Sequence, residues 1–127
     1  MQFTKPKKVF IVDDDQMIRQ MMEDKLKSFH HHVSSFSNGE DCLNSLDEHP
    51  DVVVLDYHLD KSIREAANGL QILEAIKKNY PNIHVIMLSS QEKYSLALQT
   101  IQKGAEQYVI KDNDAFDKIA GIIAGLK

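Results

Sequence analysis

The chain predicts an α/β fold built on a doubly wound parallel sheet of five strands, with helices on both faces. Two observations carry that expectation. Strand-like and helix-like segments alternate five times along the 127 residues, and such alternation implies parallel strands joined by right-handed crossovers. Residues 9–12 and 52–55 are short, unbroken runs rich in valine and isoleucine, the pattern of strands buried on both faces.

The elements follow in order. Residues 7–13 predict the first strand. A helix comes next, with Asp15 as its N-cap and Ile18, Met22, Leu26 and Phe29 along one apolar face. Residues 31–37 read as the second strand, and Asn38-Gly39 opens a helix whose Cys42, Leu43 and Leu46 face inward. The break at His49-Pro50 sets off a third strand over residues 51–56. The third helix presents Ile72, Leu73, Ile76 and Tyr80, and Pro81 ends it. Residues 83–88 form the fourth strand. The fourth helix carries Tyr94, Ala97, Leu98 and Ile101 at spacings of three and four, and Lys103-Gly104 supplies its stop. Residues 107–110 make the fifth strand, and a last helix packs through Phe116, Ile119, Ala120 and Ile123.

Residues 57–68 are long for a βα loop. Ser62 and Glu65 stand at capping-box spacing within them and predict a single helical turn. A functional loop at the ligand-binding edge and a tolerated surface insertion both fit this segment.

Length suits one domain, residues 1–127, with one core. A formal charge of −4 and a pI of about 5.8 provide no field favouring nucleic acid. The short basic run Lys5-Pro6-Lys7-Lys8 reads as a solvated lead-in to the first strand. The single cysteine, Cys42, excludes an intrachain disulfide and fits a reducing compartment. The first residues make a poor signal peptide, and no stretch approaches the ~18 continuous apolar residues of a membrane span. A cytoplasmic domain without membrane contact is expected.

Both apolar runs end in aspartate: Asp13-Asp14-Asp15 after the first and Asp56 after the third strand. In open α/β sheets ligands bind outside the carboxyl ends of the strands. Neighbouring strands would bring these acids together at that edge. Such a cluster is self-repelling, and a hard cation among the carboxylates offsets the repulsion. The pattern thus points to magnesium beside a reactive carboxylate.

Ser89 after the fourth strand and Lys111 after the fifth share this edge. The segments VFIVDDD at 9–15, VVVLD at 52–56, IMLSS at 86–90 and GAEQYVIK at 104–111 together resemble the CheY-like receiver domain of two-component response regulators. The resemblance covers essentially the whole chain. It implies the flavodoxin-like strand order 2-1-3-4-5. It implies further that Asp56 is the phosphoacceptor, forming an acyl phosphate by attack on a phosphoryl group. Asp13, Asp14, Asp56 and the main-chain carbonyl of His58 would hold Mg2+ or Mn2+, and Lys111 would move from Asp56 to a phosphoryl oxygen. Ser89 would donate to another phosphoryl oxygen, and Tyr108 would turn inward with it as a switch. The readout surface would be helix four, strand five and helix five, with Ile122 beside Lys118 and near Leu126 in a partner contact. The implied partners are a sensor histidine kinase or a histidine phosphotransfer protein, an unnamed downstream protein, and a second copy on phosphorylation. The His58 side chain and Gln91 stand where they could set the lifetime of the acyl phosphate. The domain would catalyse only its own phosphorylation and dephosphorylation.

Plainer roles exist for several of these residues. Asp13 and Asp14 could cap helix one and meet its dipole, which explains one acid better than two. Ser90 could cap helix four, and Tyr108 could be a core aromatic. His30-His31-His32 reads as a set of solvated edge residues, since consecutive histidines point in different directions.

Three departures from the family pattern stand out. Asp112 follows Lys111 where the family usually has proline, often with a cis bond; a cis bond before a non-proline residue costs about 3–4 kcal/mol, so a trans linkage or strain is expected. The loop from Asp56 to Gly69 is about five residues longer than usual and lacks its Met-Pro. Ser89 replaces the commoner threonine and keeps the hydroxyl. Two rival readings remain: an interaction module that keeps the fold without phosphorylation, and a haloacid-dehalogenase-like phosphatase using Asp13-x-Asp15. The first has no need of the whole acid set, and the second lacks its Gly-Thr signal and room for a cap domain.

Overall fold

A computed structural model of the chain describes residues 5–59 and 68–126. Its elements run β1 (Lys8–Val12), α1 (Gln16–Lys27), β2 (His32–Phe36), α2 (Gly39–Asn44), a 3₁₀ turn (Leu46–Glu48), β3 (Val52–Asp56), α3 (Gly69–Asn79), β4 (His84–Ser89), α4 (Tyr94–Gln102), β5 (Gln107–Ile110) and α5 (Ala115–Gly125). The five strands form one parallel sheet in the order β2-β1-β3-β4-β5. This is the expected doubly wound architecture.

Successive side chains of a strand point to opposite faces, so an unbroken apolar strand feeds two cores. Phe10, Val12, Val53, Leu55, Val85 and Met87 pack on one side with Cys42 of α2 and Ile72, Leu73 and Ile76 of α3. Val9, Ile11, Val52, Val54, Ile86 and Leu88 pack on the other with Met22 and Leu26 of α1 and Ile119 and Ile123 of α5. Each fully buried side chain of this size contributes roughly 1.5–3 kcal/mol. The sheet is therefore a rigid base whose carboxyl edge is fixed by its register. Val12 pairs with Leu55, Asp56 with Leu88, and Ser89 with Ile110. The residues that leave these strands must emerge side by side.

Helix ends follow from local chemistry. Asp15 Oδ1 accepts from the N–H groups of Met17 (2.9 Å) and Ile18 (3.2 Å), as an N-cap should. Gly104, at φ 109°, ends α4: its N–H donates to Ile101 O and that of Ala105 to Thr100 O, the Schellman pattern that glycine favours. Asn68 and Gln71 form a full capping box at the start of α3. The turn expected at Ser62 and Glu65 lies outside the described residues.

Four local expectations are corrected. Phe29 does not join the α1 core stripe; it follows the C-cap Ser28 and is 45% exposed. On α4 the inward position is Thr100, whose hydroxyl donates to Ala97 O at 2.9 Å. Tyr94, Leu98 and Ile101 instead form an outward apolar row, with Tyr94 82% exposed. Spacing shows that these residues share a face but not which way that face turns. Ser90 does not cap α4, whose first residue follows Lys93. Finally, His31 is buried rather than solvated: its Nδ1 accepts from the Lys7 N–H at 3.0 Å and closes the start of the β1–β2 pair.

Burial, with the charges of Lys7 and His32, holds His31 below its ordinary pKa of 6.5. Because the neutral ring is favoured in the fold, this bond stabilises the protein above pH 6.5, and its contribution is lost as acid protonates the ring. Urea denaturation of wild type and His31→Gln should show a wild-type advantage of about 1 kcal/mol near neutrality that shrinks below that pH. An advantage independent of pH would rule out protonation of His31 as the cause.

Candidate functional site

At the carboxyl edge Asp13 and Asp56 are almost fully buried, 1% and 2% exposed, while Asp14 stands on the rim. Asp13 donates its N–H to Phe36 O at 3.1 Å. Its Oδ1 accepts from the Asp15 N–H at 2.9 Å. Its Oδ2 is buried and accepts no hydrogen bond. Asp56 Oδ1 accepts from the His58 N–H at 3.2 Å. Lys111 Nζ lies 3.3 Å from Asp13 Oδ2 and 3.2 Å from Asp56 Oδ1, bridging the two acids. The Lys111 N–H donates to Ser89 O at 2.8 Å, which ties the base of the lysine to β4.

The electrostatics follow from this packing. Burial first, and the Asp56 charge second, push the Asp13 carboxyl from 3.8 up to about 6. For Lys111, burial pulls downward, but the charges of Asp56 and Asp13 outweigh it and hold the ammonium above its ordinary value. One cation thus serves two buried anions. One carboxylate oxygen from each of Asp13, Asp14 and Asp56 can be chosen so that all lie within 4.8 Å of one another. An all-oxygen donor set, with the buried Asp13 Oδ2 ion-paired to Lys111 but accepting no hydrogen bond, suits a hard divalent cation such as Mg2+.

Behind this set, Ser89 is fully buried and its Oγ accepts from the Gln91 N–H at 3.1 Å. Tyr108 donates its hydroxyl to Gln91 O at 2.7 Å. Two candidate switch side chains therefore hold the two main-chain groups of one residue, and Gln91 joins the site through its backbone. The His58 ring packs edge-on against Tyr57. Ile122 is half-buried and lines a groove with Lys118, Gly121 and the strand β5.

Asp112 replaces a turn residue without a cis bond, for none occurs among the described residues. Its Oδ1 accepts from the Asp114 N–H at 2.9 Å and its Oδ2 meets Lys118 Nζ at 3.2 Å. An Asx turn thereby fixes the chain after Lys111. The phosphatase-like use of Asp15 fits poorly, because Asp15 Oδ1 is engaged as the α1 cap.

Two residues escaped the sequence reading. Arg19 Nη1 donates to Asp13 O at 2.7 Å, a link from the second turn of α1 back to the site. Gly69 lies against the backbone of the acceptor-strand end: a Cβ there would sit 2.6 Å from Tyr57 Cα and closer still to Asp56 O. Its N–H also donates to Tyr57 O at 3.0 Å, pinning the two ends of the 57–68 segment together.

A family model for the response regulator receiver domain matches residues 9–123. The chain belongs to that family, the receiver domains of two-component systems. It is 38% identical over 104 residues to a putative NtrX-like response regulator of Rickettsia conorii, covering 81% of this chain and 21% of that protein. It is 30% identical over 113 residues to the DNA-binding transcriptional regulator NtrC of Escherichia coli, covering 88% and 23%. The chain thus spans well under half the length of these relatives. Among solved structures, the BeF3-activated DrrB receiver domain, from the Thermotoga maritima OmpR/PhoB homologue, superposes with a TM-score of 0.80 at 31% identity, covering 93% of this chain and 95% of that one. The NtrX receiver domain of Brucella abortus gives a TM-score of 0.80 at 25% identity, covering 94% and 99%.

Charged Asp13 costs the metal-free fold stability. The native carboxyl holds its proton to about pH 6 and the unfolded one only to 3.8, so stability falls as pH rises through that window. Asp13→Asn, which keeps the Oδ1 acceptor, should gain about 1–3 kcal/mol at pH 8 in EDTA, with the gain vanishing near pH 4. Equilibrium denaturation at both pH values checks it; a loss of stability at pH 8 contradicts this account. Gly69→Ala should displace the Asp56–Tyr57 backbone and cost about 1–3 kcal/mol in the same assay. A variant as stable as wild type would show that the close approach relaxes freely.

Proposed function

We propose that the chain is a phospho-accepting receiver that takes a phosphoryl group onto Asp56 from a phosphohistidine of a sensor histidine kinase or a histidine phosphotransfer protein, and that it needs Mg2+ or Mn2+ to do so. The observation that carries this reading is the convergence of Asp13, Asp14 and Asp56 with Lys111 Nζ 3.2 Å from the acceptor carboxylate. Asp13, Asp14, Asp56 and the His58 carbonyl would hold the cation, and when bound it supplies neutralising charge for the phosphoryl oxygens.

The chain's own groups do the rest. An Asp56 carboxylate oxygen attacks phosphorus, the P–O bond forms, and the P–N bond to the donor imidazole breaks with its electron pair leaving on nitrogen. Lys111, already shared between two acids, shifts to a phosphoryl oxygen as Asp56 loses its charge. The Ser89 hydroxyl, which at rest uses its oxygen on Gln91, donates its proton to another phosphoryl oxygen. Moving Ser89 loosens the Gln91 backbone, and Tyr108 is bonded to that same residue, so the change passes to β5. The exposed row Tyr94, Leu98 and Ile101 on α4, with β5 and Ile122 on α5, would be the surface a downstream protein or a second copy reads. His58, whose N–H meets the acceptor carboxylate, and Gln91, whose N–H meets Ser89 Oγ, would tune how long the phosphoryl group survives. Such a module turns over no external metabolite and would act in the cytoplasm beside its kinase. Its kinship to the DrrB receiver domain, characterised in a BeF3-activated form, supports this reading.

Intact-protein mass after incubation with acetyl phosphate tests it. One phosphoryl adduct is expected on wild type with Mg2+, and none without Mg2+ or on Asp56→Asn. Following adduct loss in His58→Ala and a Gln91 variant reads the tuning role, and rates equal to wild type would remove it. No wild-type adduct under trapping conditions would leave a receiver-like interaction module as the better reading.

A further inference from the structure

Arg19 has no part in the chemistry above, yet it reaches into the site from α1. The helix start anchors it, since the Arg19 N–H donates to Asp15 O at 3.0 Å, and Asp15 is the α1 cap. Its guanidinium then turns back to Asp13 O at 2.7 Å in a half-buried setting. With this bond, the Asp13 N–H, C=O and Oδ1 are all held: by Phe36 O, Arg19 and the Asp15 N–H. Oδ2 alone is left without a hydrogen bond, 3.3 Å from Lys111 Nζ.

The carbonyl that Arg19 grips belongs to the peptide joining Asp13 to Asp14. A peptide unit is planar and rigid, so fixing its oxygen fixes its nitrogen and the direction in which the next Cα departs. We infer that Arg19 is a positioning residue for divalent-cation binding: it clamps the peptide plane between Asp13 and Asp14 and so places both carboxylates at once. This rests on the receiver reading, but it concerns metal affinity and can be tested apart from phosphorylation. The two ways Arg19 could act have opposite signs. As a nearby positive charge it would repel a cation, and removing it would tighten binding. As a clamp it preorganises two ligands, and removing it weakens binding.

Mg2+ titration by calorimetry on wild type, Arg19→Met, Arg19→Lys and Arg19→Gln separates them. Loss of a group that orients metal ligands typically weakens affinity by 10–100-fold, so Arg19→Met should bind Mg2+ roughly ten-fold more weakly. Arg19→Lys, which keeps charge and most of the reach, should fall between it and wild type. Acetyl phosphate labelling of Arg19→Met should recover at saturating Mg2+ and lag at limiting Mg2+. Denaturation in EDTA reads any folding cost separately, and Arg19→Gln carries the titration if Arg19→Met does not fold. Affinity equal to or tighter than wild type in the folded variant overturns the clamp. Failure of wild type itself to bind Mg2+ would instead overturn the receiver reading on which it rests.

Discussion

Two carboxylates are buried at one edge of this sheet, and a single ammonium holds them there. Lys111 Nζ lies within 3.3 Å of both Asp13 and Asp56. Taking either acid out of water is costly, and their mutual repulsion adds to the cost. One lysine cannot neutralise two acids, which leaves the resting site short of positive charge. A cation among the carboxylates would offset that deficit, and under the proposed phosphorylation of Asp56 the lysine would be free to change partners.

The fold makes this arrangement possible by supplying rigidity. The inner strands are packed on both faces, so the ends of β1, β3 and β4 cannot relax away from one another. Around them the backbone is tied at several points: the Asp13 carbonyl to Arg19, the Lys111 N–H to Ser89 O, and Tyr57 O to the Gly69 N–H. Asp112 fixes the chain after Lys111 with an Asx turn. The Gly69 N–H to Tyr57 O bond ties the start of α3 to the end of the acceptor strand.

A less deeply packed helix lies beside this edge. On α4 only Thr100 is fully buried among the described residues, and the helix turns an apolar row outward. The link to the site is the short path Ser89–Gln91–Tyr108, made of two hydrogen bonds to one backbone residue. In the proposed switch, a helix with so little buried side chain is the element that these two hydrogen bonds would bias.

The strands, their order of occurrence and the acid set were legible in the sequence, because each depends on local properties. Continuous valine and isoleucine runs demand burial on both sides, and aspartate at their ends needs a reason. Ser62 and Glu65 stand at capping-box spacing, but so do Asn68 and Gln71, which the structure shows capping α3; spacing alone does not distinguish the two pairs. What the sequence could not determine was direction and reach. Spacing put Tyr94, Leu98 and Ile101 on one face of α4, but only packing against the sheet turned Thr100 inward and that face out. Three consecutive histidines looked equivalent until pairing of β1 with β2 buried His31 against Lys7. Arg19 and Gly69 had no local mark at all, since their roles lie in a carbonyl and a backbone brought near by the fold. Local patterns are written along the chain; which atoms of distant segments meet is decided when the two cores close on the sheet.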